Sequence, residues 1–297
     1  MAEENVFRSG YVSIVGRPNT GKSTLLNVLA GQKLAIVSKR PQTTRNRILG
    51  IRNLPGAQII FIDTPGLHEP RNLLGRTMVR TVKDVLREID AVLLVVESSG
   101  ITARDRAVAE SLQGVGKPVI LIVNKVDLVR KPDLLKVMDD GRAMFGFADI
   151  IPVSAMKRDG IDRILDVLST LLPEGPKYYP DDIVTDQLER FMAAEIIREK
   201  IMRKTSDELP YSVAVEVLRW RERPDGLVAI DANIYVEREG QKAIIIGKRG
   251  IMLKSIGTAA RADMEKLLNA KVFLELWVKV RKNWRNDDQL LKELGYR

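Results

Sequence analysis

The chain has 297 residues, enough for two ordinary domains, and its 45% apolar and 29% charged residues are the balance of a globular protein in water. It lacks cysteine, which excludes disulfides and thiolate chemistry, and its single histidine, His68, is too few for a His-based metal site or a Ser/His/Asp triad. The net charge of +9 is unevenly spread: residues 5–62 hold nine Lys/Arg and no acid, and residues 242–285 hold eleven against three acids, a pattern that favours a polyanionic partner.

The N-terminus, MAEENVFRSG, has no apolar core of a signal peptide, and no apolar run approaches the ~18 residues of a membrane span, so a cytoplasmic chain is expected. A strand is predicted over residues 11–15. Gly16-Arg17-Pro18-Asn19-Thr20-Gly21-Lys22-Ser23 follows it and matches G-x-x-x-x-G-K-[ST], with Thr24 opening the rest of an apolar helix to residue 30. Strand, loop and helix in that order make a phosphate cradle, because the loop turns N–H groups inward and the helix N-terminus favours negative charge. Lys22 can reach the β and γ phosphates, and the Ser23 hydroxyl can ligate magnesium.

Residues 47–52 read as an added edge strand and 58–62 as the next central one, ending at Asp63-Thr64-Pro65-Gly66. An acid there can hold magnesium through water, and the Gly66 N–H can sense the γ phosphate. A helix over 73–88, a strand over 91–96, a helix over 102–114 and a strand over 119–123 follow. That last strand leads into Asn124-Lys125-Val126-Asp127. A carboxylate at Asp127 can accept from the N1–H and N2–H₂ of guanine, donors that adenine lacks. Asn124 can tie this loop to the first, and the Lys125 stem can cover a base face. A helix over 133–145 and a strand over 150–153 then reach Ser154-Ala155, which can offer an N–H to guanine O6. Four such loops in order at strand ends specify GTP over ATP.

This set resembles the translation-factor-related GTPases, and Pro41-Gln42-Thr43-Thr44-Arg45 with Asp63-Thr64-Pro65-Gly66-Leu67-His68 resembles their Era-like branch. The resemblance implies GTP/GDP and Mg²⁺ as cofactors, with a switch-loop threonine completing the magnesium shell. Thr43 and Thr44 both qualify, and Thr44 is the expected ligand beside Ser23 and Asp63; Lys22, Thr44 and Gly66 form the expected catalytic set. Leu67 stands where Ras-like proteins place a water-orienting glutamine. Leucine has no hydrogen-bonding group, so slow intrinsic hydrolysis is expected. His68 is read as a solvated loop residue rather than a general base.

A helix over 161–171 closes the first domain, expected over residues 1–173, and the Pro- and Gly-rich stretch 174–183 reads as a linker. The remainder, 184–297, shows an amphipathic helix over 186–204, a strand over 211–221, a Pro224-Asp225-Gly226 turn, a strand over 227–237, two helices joined at a Gly-containing stretch with the second ending near 268, and a strand over 271–280. Ile246-Gly247-Lys248-Arg249-Gly250 carries the G-x-x-G that clamps nucleotides in KH domains, with Ile256 expected in the apolar floor beneath the bases. Lys254, Lys279, Arg281, Lys282 and Arg285 are the accompanying cationic candidates. Trp277 and Trp284 are expected to pack rather than to stack on bases, with Leu274, Leu276, Val278 and Val280 facing the core.

The expected fold is an α/β P-loop GTPase domain, its mostly parallel sheet covered by helices on both faces, followed by a small α+β domain resembling the type II KH fold. Family resemblance implies binding to the 3′ region of small-subunit (16S) ribosomal RNA and action in assembly of the 30S particle; a monomer is expected. The rival reading is a GTPase whose basic segments meet anionic lipid at the inner face of the cell membrane; no lipidation signal accompanies it.

Overall fold

The structure, a computed structural model, describes residues 6–38, 40, 42–67, 69–205 and 209–296. Pro41 and His68, named above, lie outside the described residues. The chain divides into two compact units, one of residues 1–35, 44–69 and 78–186, the other of residues 36–43, 70–77 and 187–297.

The first unit is built on a six-stranded sheet: β1 (Arg8–Val15), β2 (Ile48–Leu54), β3 (Ala57–Asp63), β4 (Ala91–Glu97), β5 (Val119–Asn124) and β6 (Asp149–Val153), in the order β2-β3-β1-β4-β5-β6. All pairings are parallel except β2 with β3, the edge hairpin. β4 and β5 are apolar almost throughout because both of their faces are covered, by α1 (Lys22–Ala30), α2 (Leu73–Val85), α3 (Ala103–Ser111), α4 (Lys131–Met144) and α5 (Ile161–Leu171). Parallel strands bring their carboxyl ends to one edge, where ligands of open α/β sheets bind. Register makes this concrete. Ile14 pairs with Asp63, Glu97 with Asn124 and Asn124 with Val153, so the four chemistry-bearing loops leave the sheet together.

The proline-rich stretch expected as a linker is hydrogen-bonded along this unit. The Ser9 hydroxyl donates to Pro176 O at 2.7 Å, the Gln58 side chain holds the backbone of Tyr178 and Tyr179, and Ile51 N–H donates to Val184 O. Prolines supply no N–H here, and the Ser9 and Gln58 side chains of β1 and β3 satisfy the carbonyls of Pro176 and Tyr179 instead.

In the second unit β7 (Ala214–Glu222) pairs antiparallel with β8 (Val228–Val236), and β8 pairs parallel with β9 (Val272–Val280). α6 (Glu189–Lys204), α7 (Glu239–Ile246) and α8 (Ile251–Leu268) cover the sheet through a core that includes Ile197, Ile230, Ile234, Ile256 and Met264. The order α-β-β-α-α-β is that expected. Leu274, Leu276, Val278 and Val280 do face this core. The two tryptophans part company: Trp284 is fully buried, with its Nε1–H donating to Ser212 O at 2.8 Å and its ring on Tyr296, whereas Trp277 is 43% exposed. A last short helix, α9 (Asp288–Glu293), is capped by the Asp287 carboxylate. Among the described residues no helix is long and apolar enough to cross a membrane.

Candidate nucleotide site

At the mouth of the first unit the Ser23 hydroxyl lies 2.6 Å from Asp63 Oδ2 and 2.8 Å from Thr44 Oγ1, and Thr44 Oγ1 lies 3.1 Å from the same carboxylate oxygen. Asp63 Oδ1 is buried without a hydrogen-bond partner. Thr43 turns away, its hydroxyl donating to Arg40 O at 2.6 Å. Two hydroxyls and one carboxylate are hard oxygen donors that fit magnesium, which takes few protein ligands and completes its shell with water and phosphate. The same chemistry explains why no cluster of three His, Cys, Asp or Glu is found among the described residues. Burial pushes the Asp63 carboxyl up from its ordinary value against the opposing pull of Lys22 and the two hydroxyls, as expected for an acid placed to meet a cation.

Lys22 heads α1 with its ammonium on Arg17 O at 2.9 Å, and burial, together with the Arg17 charge and against Asp63, lowers its pKa to about 8. A dry ammonium at the first turn of a helix suits a phosphate group. Gly66 lies against this loop: a Cβ there would fall 3.0 Å from Pro18 N, so the second switch approaches as only glycine allows. Thr20 and Thr64 serve the frame, their hydroxyls donating to Arg17 O and Ile14 O.

The base end is knitted by Asn124. Its Nδ2 donates to Thr20 O at 2.8 Å, and its Oδ1 accepts from Lys125 N–H and from Ala155 N–H at 3.1 Å. Both N–H groups that the sequence offers to guanine O6 have partners within the fold, Ala155 N–H on Asn124 Oδ1 and Ser154 N–H on Asp159 O at 3.1 Å. Ser154 Oγ donates to Asp127 Oδ1 at 2.6 Å, which holds the exposed carboxylate in one rotamer.

Glu97, which sequence reasoning missed, joins the two ends. Its carboxylate pairs with the Lys125 ammonium and, at 2.9 Å, with Arg17 Nη2, while Arg17 Nε reaches the buried Asp105, the capping acid of α3. Burial would raise the Glu97 carboxyl, but the Lys125 and Arg17 cations outweigh it and hold it below its usual value. Replacing Glu97 with Gln is expected to weaken GTP and GDP alike by about tenfold, the worth of one charge-assisted hydrogen bond. Faster dissociation of a fluorescent GDP would report it; an unchanged rate would mean that Lys125 is fixed by its other bond, to Asn19 O.

In the second unit the G-x-x-G segment joins α7 to α8. Lys248, Arg249 and Lys254 are exposed, and Ile246 is half-buried beside Gly247 and Gly250. Ile256 is fully buried in the core and cannot be a floor for bases, because its position in α8 faces the sheet. Ile244 and Ile251, 54% and 67% exposed, are the apolar side chains beside the loop. Lys279, Arg281 and Lys282 are exposed at the end of β9. Arg285 is instead held by Glu237 through Nη2 at 2.6 Å and Nε at 3.2 Å, which accounts for much of its donor capacity.

The family of 50S ribosome-binding GTPases matches residues 11–125, and the KH domain family matches residues 208–285. GTPase Era of Geobacter metallireducens is 54% identical over 295 residues, 99% of each chain, and GTPase Era of Syntrophus aciditrophicus is 53% identical over 293 residues, 98% of this chain and 96% of that one. The chain belongs to the GTPase Era family. Solved Era structures agree over the whole length. A point variant of Aquifex aeolicus Era bound to GDP·AlF4⁻ and an Era complex with MgGDPNP and nucleotides 1506–1542 of 16S ribosomal RNA each superpose with TM-score 0.95 at 40% identity, covering 98% of this chain and 99% of theirs.

Family membership makes the chain a GTPase. Leu67, in place of a polar water-orienting residue, packs onto the core around Val15, Ile62 and Val82. Its position is apolar by construction, so a water-orienting group must come from elsewhere.

Proposed function

We propose that this GTPase is a GTP-dependent switch that binds the 3′ region of 16S ribosomal RNA through its KH domain and acts in assembly of the small ribosomal subunit. The observation that carries the reading is full-length likeness to an Era chain held with both MgGDPNP and a 16S fragment. Ser23, Thr44 and Asp63 would hold the magnesium, and Lys22, Gly66 and the backbone of residues 16–24 the phosphates, with Arg17 and Thr64 contributing main chain only. Asn124, Lys125, Asp127, Ser154 and Ala155 would hold the base. The magnesium supplies charge neutralisation on the β and γ phosphates when bound. Lys248 and Arg249 with the exposed Ile244 and Ile251 would take the RNA strand. We place the protein in the cytoplasm as a monomer. A lipid role for the basic N-terminal stretch loses much of its ground, since Lys22 and Arg45 are buried and Arg17 is ion-paired.

The test is binding of a single-stranded oligomer from the 16S 3′ end with a GTP analogue and with GDP. A preference of tenfold or more for the GTP form, about 1.4 kcal/mol of coupling, is expected; equal affinity in both states would end the switch reading.

A further inference from the structure

α6 is covered on two sides. Ala193, Ile196, Ile197 and Ile201 enter the core of the second unit, while Arg198 and Glu199 turn toward Thr43 and Val37, which belong to that same unit, and Glu195 pairs with Arg198. Arg198 and Glu199 are fully buried. Arg198 Nη2 donates to Thr43 O, and its Nε donates to Glu195 Oε1 at 2.7 Å. Glu199 Oε1 accepts from Val37 N–H at 3.0 Å and from Arg203 Nη2 at 2.9 Å, and Arg203 Nη2 also reaches Val37 O at 3.3 Å. Burial alone would lower the Arg198 pKa, yet the adjoining Glu195 carboxylate holds the guanidinium above its ordinary value and firmly charged.

Ion pairs of this kind are costly to bury and add little to stability, so their placement asks for a reason other than folding. The two fully buried charges, Arg198 and Glu199, each engage a backbone group of that upstream segment, at Thr43 and at Val37, as well as a side chain of their own helix. The carbonyl that Arg198 grips belongs to the peptide whose N–H is that of Thr44, the hydroxyl residue beside Ser23 and Asp63.

We propose that Arg198 is a positioning residue for GTP hydrolysis: by fixing the Thr43 carbonyl it sets the peptide plane that presents Thr44 to magnesium and the γ phosphate. This rests on the reading of Thr44 as a magnesium ligand of the GTP state. The bonds of Arg198 go to Glu195, Met202 and Thr43, and none goes to a residue assigned to the nucleotide or the metal. It acts through Thr44, and it lies in the helix that opens the RNA-binding fold.

The experiment uses the full chain carrying Arg198→Lys, Glu195→Gln with Arg198→Met, and Thr44→Ala. The paired substitution removes both charges at similar volume and so avoids an uncompensated buried carboxylate. Relative to the parent, the paired variant is expected to lose about tenfold in kcat, to need about fivefold more Mg²⁺ for half-maximal turnover, and to bind GDPNP about fivefold more weakly with GDP affinity within twofold, since a switch threonine is engaged only by the γ-phosphate state. Arg198→Lys, which keeps one donor, should recover part of the loss. Adding the paired substitution to Thr44→Ala should cost nothing further. Equal weakening of GDP and GDPNP, an unchanged kcat, or additive losses would each overturn the proposal. Should Thr44→Ala alone leave the Mg²⁺ dependence intact, the ligand reading itself fails and the proposal with it. A deficient Thr44→Ala beside a parent-like paired variant sinks only the role of Arg198.

Discussion

Asp127→Asn is expected to cut GTP affinity by 100- to 1,000-fold, about 3 to 4 kcal/mol, and to create affinity for XTP where the parent has almost none. The cause is donor and acceptor count. A carboxylate accepts from both N1–H and the exocyclic amine of guanine, whereas an asparagine has one oxygen to accept with, and its NH₂ faces a second donor. Xanthine carries a carbonyl at that carbon, so the amide matches it. The Ser154 hydroxyl, 2.6 Å from Asp127 Oδ1, orients either side chain in the same way. Because residue 127 is exposed, the thermal midpoint should move by no more than about 3 °C. Displacement of a fluorescent GDP by GTP and by XTP measures the exchange. An Asp127→Asn protein that still prefers GTP would mean that the base is recognised elsewhere, and the assignment of loops 124–127 and 154–155 would fall with it.

That prediction could be framed on the sequence alone, because in the phosphate and guanine loops the residues are themselves the chemistry and only their order along alternating strands was needed. Geometry added choices the sequence leaves open. Thr44 rather than Thr43 meets Ser23 and Asp63, since the Thr43 hydroxyl is spent on Arg40 O. Glu97 was invisible because a single acid at a strand end has no pattern; only strand register sets it between Arg17 and Lys125. The charges of α6 mislead for a different reason. Helical periodicity separates Arg198 and Glu199 from the apolar face and so assigns them to solvent, but a segment some 150 residues upstream engages both, through Thr43 and Val37. Periodicity reports the face of a helix and says nothing about a second layer laid on its polar side. Ile256 fails in the opposite sense: proximity to the G-x-x-G loop suggested a role at the surface, while its turn of α8 points into the core.

The largest effect expected on the RNA side is that of Gly250→Asp, about 100-fold weaker binding of the 16S 3′ oligomer, the several kcal/mol that like charges cost when pressed together at an interface. Backbone geometry makes this substitution a clean one. Gly250 has φ 76° and ψ 6°, a left-handed conformation that Asp tolerates at a cost of about 1 kcal/mol, and a Cβ there meets nothing within 4 Å. Gly247 differs. At φ 71° and ψ 174° it occupies a region open to glycine alone, and a Cβ would stand 2.6 Å from that of Met252, so Gly247→Ala distorts the loop itself and costs about 1 to 3 kcal/mol in folding. Gly56→Asp, at another left-handed glycine with open space in the β2–β3 hairpin, carries the same charge and similar backbone strain. Gly250→Asp should therefore lose RNA while keeping the thermal midpoint of Gly56→Asp, and only Gly247→Ala should lose both. RNA affinity that falls equally in Gly56→Asp would reduce the effect to net charge, and affinity untouched in Gly250→Asp would remove the loop from the RNA site.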